Sequence, residues 1–224
     1  MSHDDFVYED DDRAEVEPFL PAGVTRVLDA GCGAGGFGRT LRRRYGDAVH
    51  VVGLEPHPEG VALARASGSY SEVVQGLFPD DVPEGGFDLV VFNDVLEHMV
   101  DPWTALAAAR DLVGPDGHVV ASIPNVQYLP VLWDLARHAR FDYVDTGVLD
   151  RTHLRFFTWK TATDMFIRAG FDVSRVAGVK SCFTWDPWRR RRWLSRVVGT
   201  SRWMQVVIVG SPGRGGSEGA VFEL

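Results

Sequence analysis

Apolar and polar positions along this chain follow two alternating rhythms. Seven short runs rich in Val, Leu, Ile and Phe occupy 24–28, 49–55, 71–75, 87–92, 118–123, 171–177 and 204–209. The run at 87–92 is almost continuously apolar, as a strand buried on both faces should be. Between the runs the apolar residues take helical spacing: Phe37, Leu41 and Tyr45, then Val61, Ala62 and Ala66. Further on come Leu106, Ala109 and Leu112, and finally Ala162, Met165, Phe166 and Ala169. Turn and cap chemistry stands at the joints, in Pro56-His57-Pro58, Pro102, Gly114-Pro115-Asp116-Gly117, Thr158 as an N-cap and Gly170 as a helix stop. The alternation predicts an α/β fold with a doubly wound, Rossmann-like, mostly parallel sheet. Ligands of such sheets sit beyond the carboxyl ends of the strands, where Asp29, Glu55, Asn93 and Pro124 all fall.

The alternation breaks twice. From 124 to 158, Leu129, Leu132, Trp133 and Ala136 recur at helical spacing, and a polar loop follows at 142–155. This predicts a helical lid insertion across the cleft, because a loop this long in a compact domain is usually functional. The second break, 180–202, places Trp185, Trp188 and Trp193 beside Arg189, Arg190, Arg191, Arg192 and Arg196. An anionic substrate or a membrane surface would suit that composition. The favoured reading is an added helix on the sheet edge or against a neighbouring subunit, with its arginines in water. Residues 1–20 form an acidic N-terminal segment, 21–210 one domain, and 211–224 a flexible tail.

Composition narrows the function. The 224 residues are 45% hydrophobic and 24% charged, ordinary for a globular protein with one sizeable core. A net charge of −8 argues against a nucleic-acid partner. No signal-like stretch or long apolar run is present, so a cytoplasmic location is expected. Two cysteines, Cys32 and Cys182, suggest no disulfide framework.

The chemistry concentrates at Val27-Leu28-Asp29-Ala30-Gly31-Cys32-Gly33-Ala34-Gly35-Gly36-Phe37. A strand ends in an acid, a glycine-dense turn follows, and a helix begins whose free N–H groups face the same space. Gly31, Gly33 and Gly36 also satisfy the dinucleotide pattern, with Glu55 placed to take a ribose. Asp29 shifts the balance, since a carboxylate there can face the ammonium of an amino-acid-like ligand, a need no pyrophosphate has.

The motif D-x-G-x-G-x-G from Asp29 to Gly35, followed by an acid ending the next strand, resembles the S-adenosylmethionine site of class I methyltransferases. Phe87-Asp88-Leu89-Val90, Leu96-Glu97-His98, Gly114-Pro115-Asp116-Gly117 and Arg168-Ala169-Gly170-Phe171 follow in the order that family requires. Asp150 to Thr158, D-R-T-H-L-R-F-F-T, is similar to a bacterial subgroup linked to sugar, cell-surface glycan and natural-product methylation. The resemblance implies a seven-stranded sheet with an antiparallel last strand. It places Asp29 near the methionyl amino end, with Gly31, Cys32 and Gly33 along the cofactor and Glu55 and Pro56 at the ribose. It adds Asn93, Asp94, Val95 and His98 to the cofactor wall, and it has Tyr8 and Arg13 fold over the cofactor's carboxylate. The usual acid for the adenine amino group is missing after Gln75, so Gly76, the backbone of Leu77 and the ring of Phe78 are expected to substitute.

For a hydroxyl acceptor, His98 is the first candidate base, with His153 and Asp94 beside it. Asp94, Glu97 and His98 also resemble, with Asp for the first Glu, the E-x-x-E-H spacing of ubiquinone-pathway O-methyltransferases, whose acids suggest Mg²⁺; this metal is the disfavoured option. The expected activity is S-adenosylmethionine-dependent O-methylation of a small molecule such as a sugar or natural product. Membrane contact is disfavoured and a homodimer is compatible. The alternatives are a non-catalytic S-adenosylmethionine-binding module and, third, an NAD-dependent oxidoreductase.

Overall fold

The structure is a computed structural model that describes residues 11–184, 186–213 and 221–223. Strands β1 (Arg26–Ala30), β2 (His50–Glu55), β3 (Glu72–Gln75), β4 (Leu89–Asn93), β5 (His118–Pro124), β6 (Phe171–Ser181) and β7 (Trp203–Pro212) form one sheet in the order β3-β2-β1-β4-β5-β7-β6. β7 runs antiparallel to both β5 and β6, and the other pairs among the first five strands are parallel. This is the expected Rossmann-like architecture. The chain reverses its direction of winding between β1 and β4, so a crevice opens at their carboxyl ends.

One expectation is corrected at the C-terminus. β7 continues to Pro212, and β8 (Val221–Glu223) pairs parallel to Arg175–Ala177 of β6. Part of the predicted tail is therefore strand, which covers backbone N–H and C=O groups that β6 would otherwise leave open as an edge.

Helices α1 (Gly36–Tyr45), α2 (Pro58–Ala66), α3 (Pro102–Val113) and α5 (Trp159–Arg168) cover the sheet, and α4 (Leu129–His138) stands apart. Their starts follow the expected chemistry. Asp101 accepts the Thr104 N–H at 3.1 Å, and Thr158 forms a reciprocal capping box with Thr161. Strand alternation then divides the core. Leu28, Leu54, Phe92, Leu106, Ile123 and Phe166 pack on one face, and Val27, Val51, Val91, Phe37 and Leu41 on the other. Asp29 sits two residues beyond Val27 and thus faces the α1 side.

Residues 11–20 dock on that side. Val16 and Phe19, in a 3-10 turn at Ala14–Phe19, are buried, and the Asp12 carbonyl accepts from Thr40 Oγ1 at 2.6 Å. Gly36 permits this approach, because a Cβ there would lie 2.3 Å from the Asp11 carbonyl oxygen. Tyr8 lies outside the described residues.

The two insertions join. Tyr128, Val148, Cys182, Phe183 and Trp188 form a third apolar cluster, with Leu129, Val131 and Val198 against it. No residue of α4 is fully buried. The described residues of this insertion form short 3-10 turns, Cys182–Thr184, Trp188–Arg196 and Gly199–Arg202, instead of the one added helix expected, with a break in helical geometry at Arg191. Among the described residues, no helix is long and apolar enough to cross a membrane.

Candidate cofactor and catalytic site

The glycine turn is held from below. Gly31 N and Cys32 N both donate to the Leu54 carbonyl, at 2.7 and 3.1 Å, which ties the end of β1 to β2. Gly31 has φ +75°, and a Cβ on it would strike Val95 Cγ2 at 2.6 Å, so this position needs glycine twice over. Glu55 is buried; Oε2 accepts the Gly33 N–H at 3.0 Å and Oε1 the His57 N–H at 3.1 Å. Asp29 is also buried and accepts from the Tyr70 hydroxyl at 2.6 Å. Burial pushes its carboxyl up to about 7; the Tyr70 hydrogen bond opposes this and the charge of Glu55 adds to it. Burial likewise raises the Cys32 thiol, which excludes it as a nucleophile at neutral pH.

Beyond β2 and β3 lies a cleft of about 580 Å³, lined by Pro56, His57, Pro58, Gln75, Gly76, Leu77 and Asp81. The Leu77 N–H is not open to a ligand as expected: Asp81 Oδ2 accepts it at 2.9 Å. Asp81 thereby stands in the cleft wall beside Gly76 and Leu77. Phe78 packs edge-on against Phe92, with ring centroids 5.1 Å apart.

The end of β4 carries polar groups of two kinds. Both amide atoms of Asn93 are buried without a protein partner, an arrangement that a polar ligand would relieve. Asp94 takes a left-handed backbone (φ 55°) and is fully engaged, paired with Arg13 and accepting from Gln205 Nε2 at 2.7 Å. Arg13 also donates to Ser122 Oγ and Gln205 Oε1, each at 3.0 Å. Arg13 therefore lies on the β4–β5–β7 side of the crevice, opposite Asp29 and Glu55 on the β1–β2 side.

Two imidazoles meet next to this wall, with centroids 4.7 Å apart. His98 closes a 3-10 turn, Leu96–His98, and His153 comes from the loop between α4 and α5. His98 Nδ1 lies 3.3 Å from the Thr152 carbonyl and 3.2 Å from Thr152 Oγ1, whose own proton goes to Asp150 at 2.6 Å. A carbonyl only accepts, so Nδ1 carries the proton and Nε2 keeps its lone pair. Burial, and then the neighbouring His153, lower the affinity of His98 for a second proton. His153 Nδ1 is fixed in the same way, on the Val148 carbonyl at 3.1 Å. Its Nε2 lies 3.9 Å from Glu97 Oε1. Glu97 is 1% exposed, neither carboxyl oxygen has a protein partner, and burial pushes it well above the usual range.

The metal set considered from sequence does not form, because Asp94 is taken by Arg13 and Gln205. Glu97, His98 and His153 instead bring ligand atoms within 4.8 Å of one another. One carboxylate and two imidazoles are a poor donor set for Mg²⁺, which demands oxygens in octahedral array.

The glycine turn, Glu55 and Asn93 stand at the neighbouring carboxyl ends of β1, β2 and β4, with Val95 packed against Gly31. Tyr70, Asp81, Ser122 and Gln205 were not singled out from sequence. Each reaches its partner across a distant part of the chain, and no motif surrounds it.

Comparison with known proteins gives a consistent picture. A methyltransferase-domain family model matches residues 8–176. The ubiquinone biosynthesis O-methyltransferase of Psychrobacter arcticus is 29% identical over 192 residues, covering 81% of this chain and 70% of that protein. Its Cronobacter sakazakii namesake is 34% identical over 106 residues, 45% of this chain and 42% of the relative. Among solved structures, an S-adenosylmethionine-dependent methyltransferase of Archaeoglobus fulgidus superposes with a TM-score of 0.63 at 20% identity, covering 88% of this chain and 91% of the other. A methyltransferase in complex with the Haloferax volcanii Trm112 methyltransferase activator gives 0.65 at 19%, covering 89% and 88%.

Proposed function

Because this chain belongs to the class I S-adenosylmethionine-dependent methyltransferase family, we propose that it methylates a hydroxyl group of a small-molecule acceptor, with His98 as the base. S-Adenosylmethionine supplies, when bound, a methyl group on an electrophilic sulfonium. Asp29, once ionised, balances the ammonium of the cofactor's methionyl end, and Glu55 accepts from its ribose hydroxyls. The cleft between Pro56 and Asp81 takes the adenine, and the unpartnered amide of Asn93 completes the polar wall.

The observation that carries the O-methylation reading is the His98 imidazole. Its proton is pinned on Nδ1 by Thr152, its second protonation is disfavoured by burial, and its Nε2 lone pair is left for an acceptor hydroxyl. His153 holds it in place by ring contact. The relatives named for ubiquinone biosynthesis support a hydroxyl acceptor, and the Asp150–Thr158 stretch supports a sugar or natural product. A cytoplasmic site of action goes with this reading.

The test is a screen of hydroxylated sugars and phenols with S-adenosylmethionine, run on the natural chain and on His98→Gln. Removal of the base is expected to lower turnover by about 10² to 10⁴ in a chain that still binds S-adenosylhomocysteine. Turnover by His98→Gln at the natural rate would overturn the assignment.

A further inference from the structure

The outer face of the two joined insertions takes no part in the crevice. Trp193 is 73% exposed and Val197 79%, and Trp133 and Leu135 of α4 are each 46% exposed. Trp133 and Trp188 meet edge-on at 6.0 Å, and the Arg191 guanidinium lies 5.3 Å over Trp188 and 6.0 Å over Trp133. Arg189, Arg190 and Arg196 are exposed beside them. Residues 182–202 carry six arginines against one acid, Asp186, in a chain whose net charge is −8. The patch is therefore opposite in sign to the rest of the molecule.

We propose that this face docks on the surface of an anionic phospholipid bilayer. Indole rings favour the boundary between headgroups and acyl chains, and arginines beside them pair with lipid phosphates while their stems cover apolar surface. The third apolar cluster seats the patch from beneath through Trp188, Leu129 and Val198. The 3-10 turns are too short to sink deeply, which makes the attraction mainly electrostatic and sensitive to salt. The sequence favoured solvated arginines instead. What changes the reading is that α4 and 182–202 form one surface, which neither segment shows alone.

The experiment is co-sedimentation of the full chain with vesicles of phosphatidylcholine alone and of phosphatidylcholine mixed with phosphatidylglycerol. Binding is expected only to the mixed vesicles and to fall as salt rises. Replacing Arg189, Arg190 and Arg191 together by Glu is expected to abolish it, since each arginine near such a surface contributes roughly fivefold. Trp193→Ser weakens it. Lys160→Glu, an exposed charge reversal on α5, leaves it intact, and thermal melting shows each variant folded. Equal binding to neutral vesicles, no binding to either, or an equal loss in Lys160→Glu would overturn the proposal. So would indifference to vesicles together with a dimer, or an RNA complex, that Trp193→Ser or the arginine variant dissolves.

Discussion

Asp29 links burial to ligand affinity at a single carboxyl. Its titration near 7 means that the unliganded chain holds it largely protonated in mildly acid solution, while a cofactor ammonium needs it ionised. S-Adenosylhomocysteine affinity should therefore rise between about pH 6 and pH 8. Asp29→Asn should flatten that dependence and weaken binding at the higher pH by roughly tenfold or more; calorimetric titration across this range checks both. The sign for stability is the reverse. A carboxyl near 4 when unfolded and near 7 when folded contributes stability that is fully present below about 4 and lost as pH rises through about 7. The unliganded protein should melt at lower temperature at about pH 8 than at about pH 6, and Asp29→Asn should remove that difference in part. Asp29, Glu55 and His98 were legible in sequence because each ends a strand or follows one. Tyr70 and Asp81 were not, since their partners depend on how loops fold back. Arg13 was expected at a cofactor carboxylate, and in this structure its guanidinium is matched by the Asp94 carboxylate.

At the scale of elements, the joints are local and their effects can be stated one by one. Thr158→Ala removes a capping box at the start of α5 and should cost about 1 kcal/mol in urea denaturation. Gly36→Ala places a methyl against the Asp11 carbonyl and should cost about 1–3 kcal/mol as overpacking. Its sharper signature is release of residues 11–20 from α1, read as earlier protease cleavage in that segment. A variant cleaved no faster than the natural chain would show that the segment is held by other contacts. Strands and main helices were readable because their periodicity is local. The 3-10 turns at 182–202 were not, because arginine-rich sequence scores as helix while packing on Phe183 and Tyr128 decides the backbone.

For the whole molecule, alternation of strand and helix predicted the parallel sheet and its crevice, and the order β3-β2-β1-β4-β5-β7-β6 confirms both. Two long-range facts escaped it, the pairing of β8 with β6 and the fusion of both insertions over one small core. Each joins segments that share no pattern, so only tertiary packing reveals them. The carboxyl end of this sheet is built for S-adenosylmethionine. Calorimetric titration of the purified chain with S-adenosylhomocysteine, with NAD⁺ in parallel, tests it most directly. One tight site for the first ligand and no heat of binding from the second are expected. Binding of NAD⁺, or of neither ligand, would contradict it.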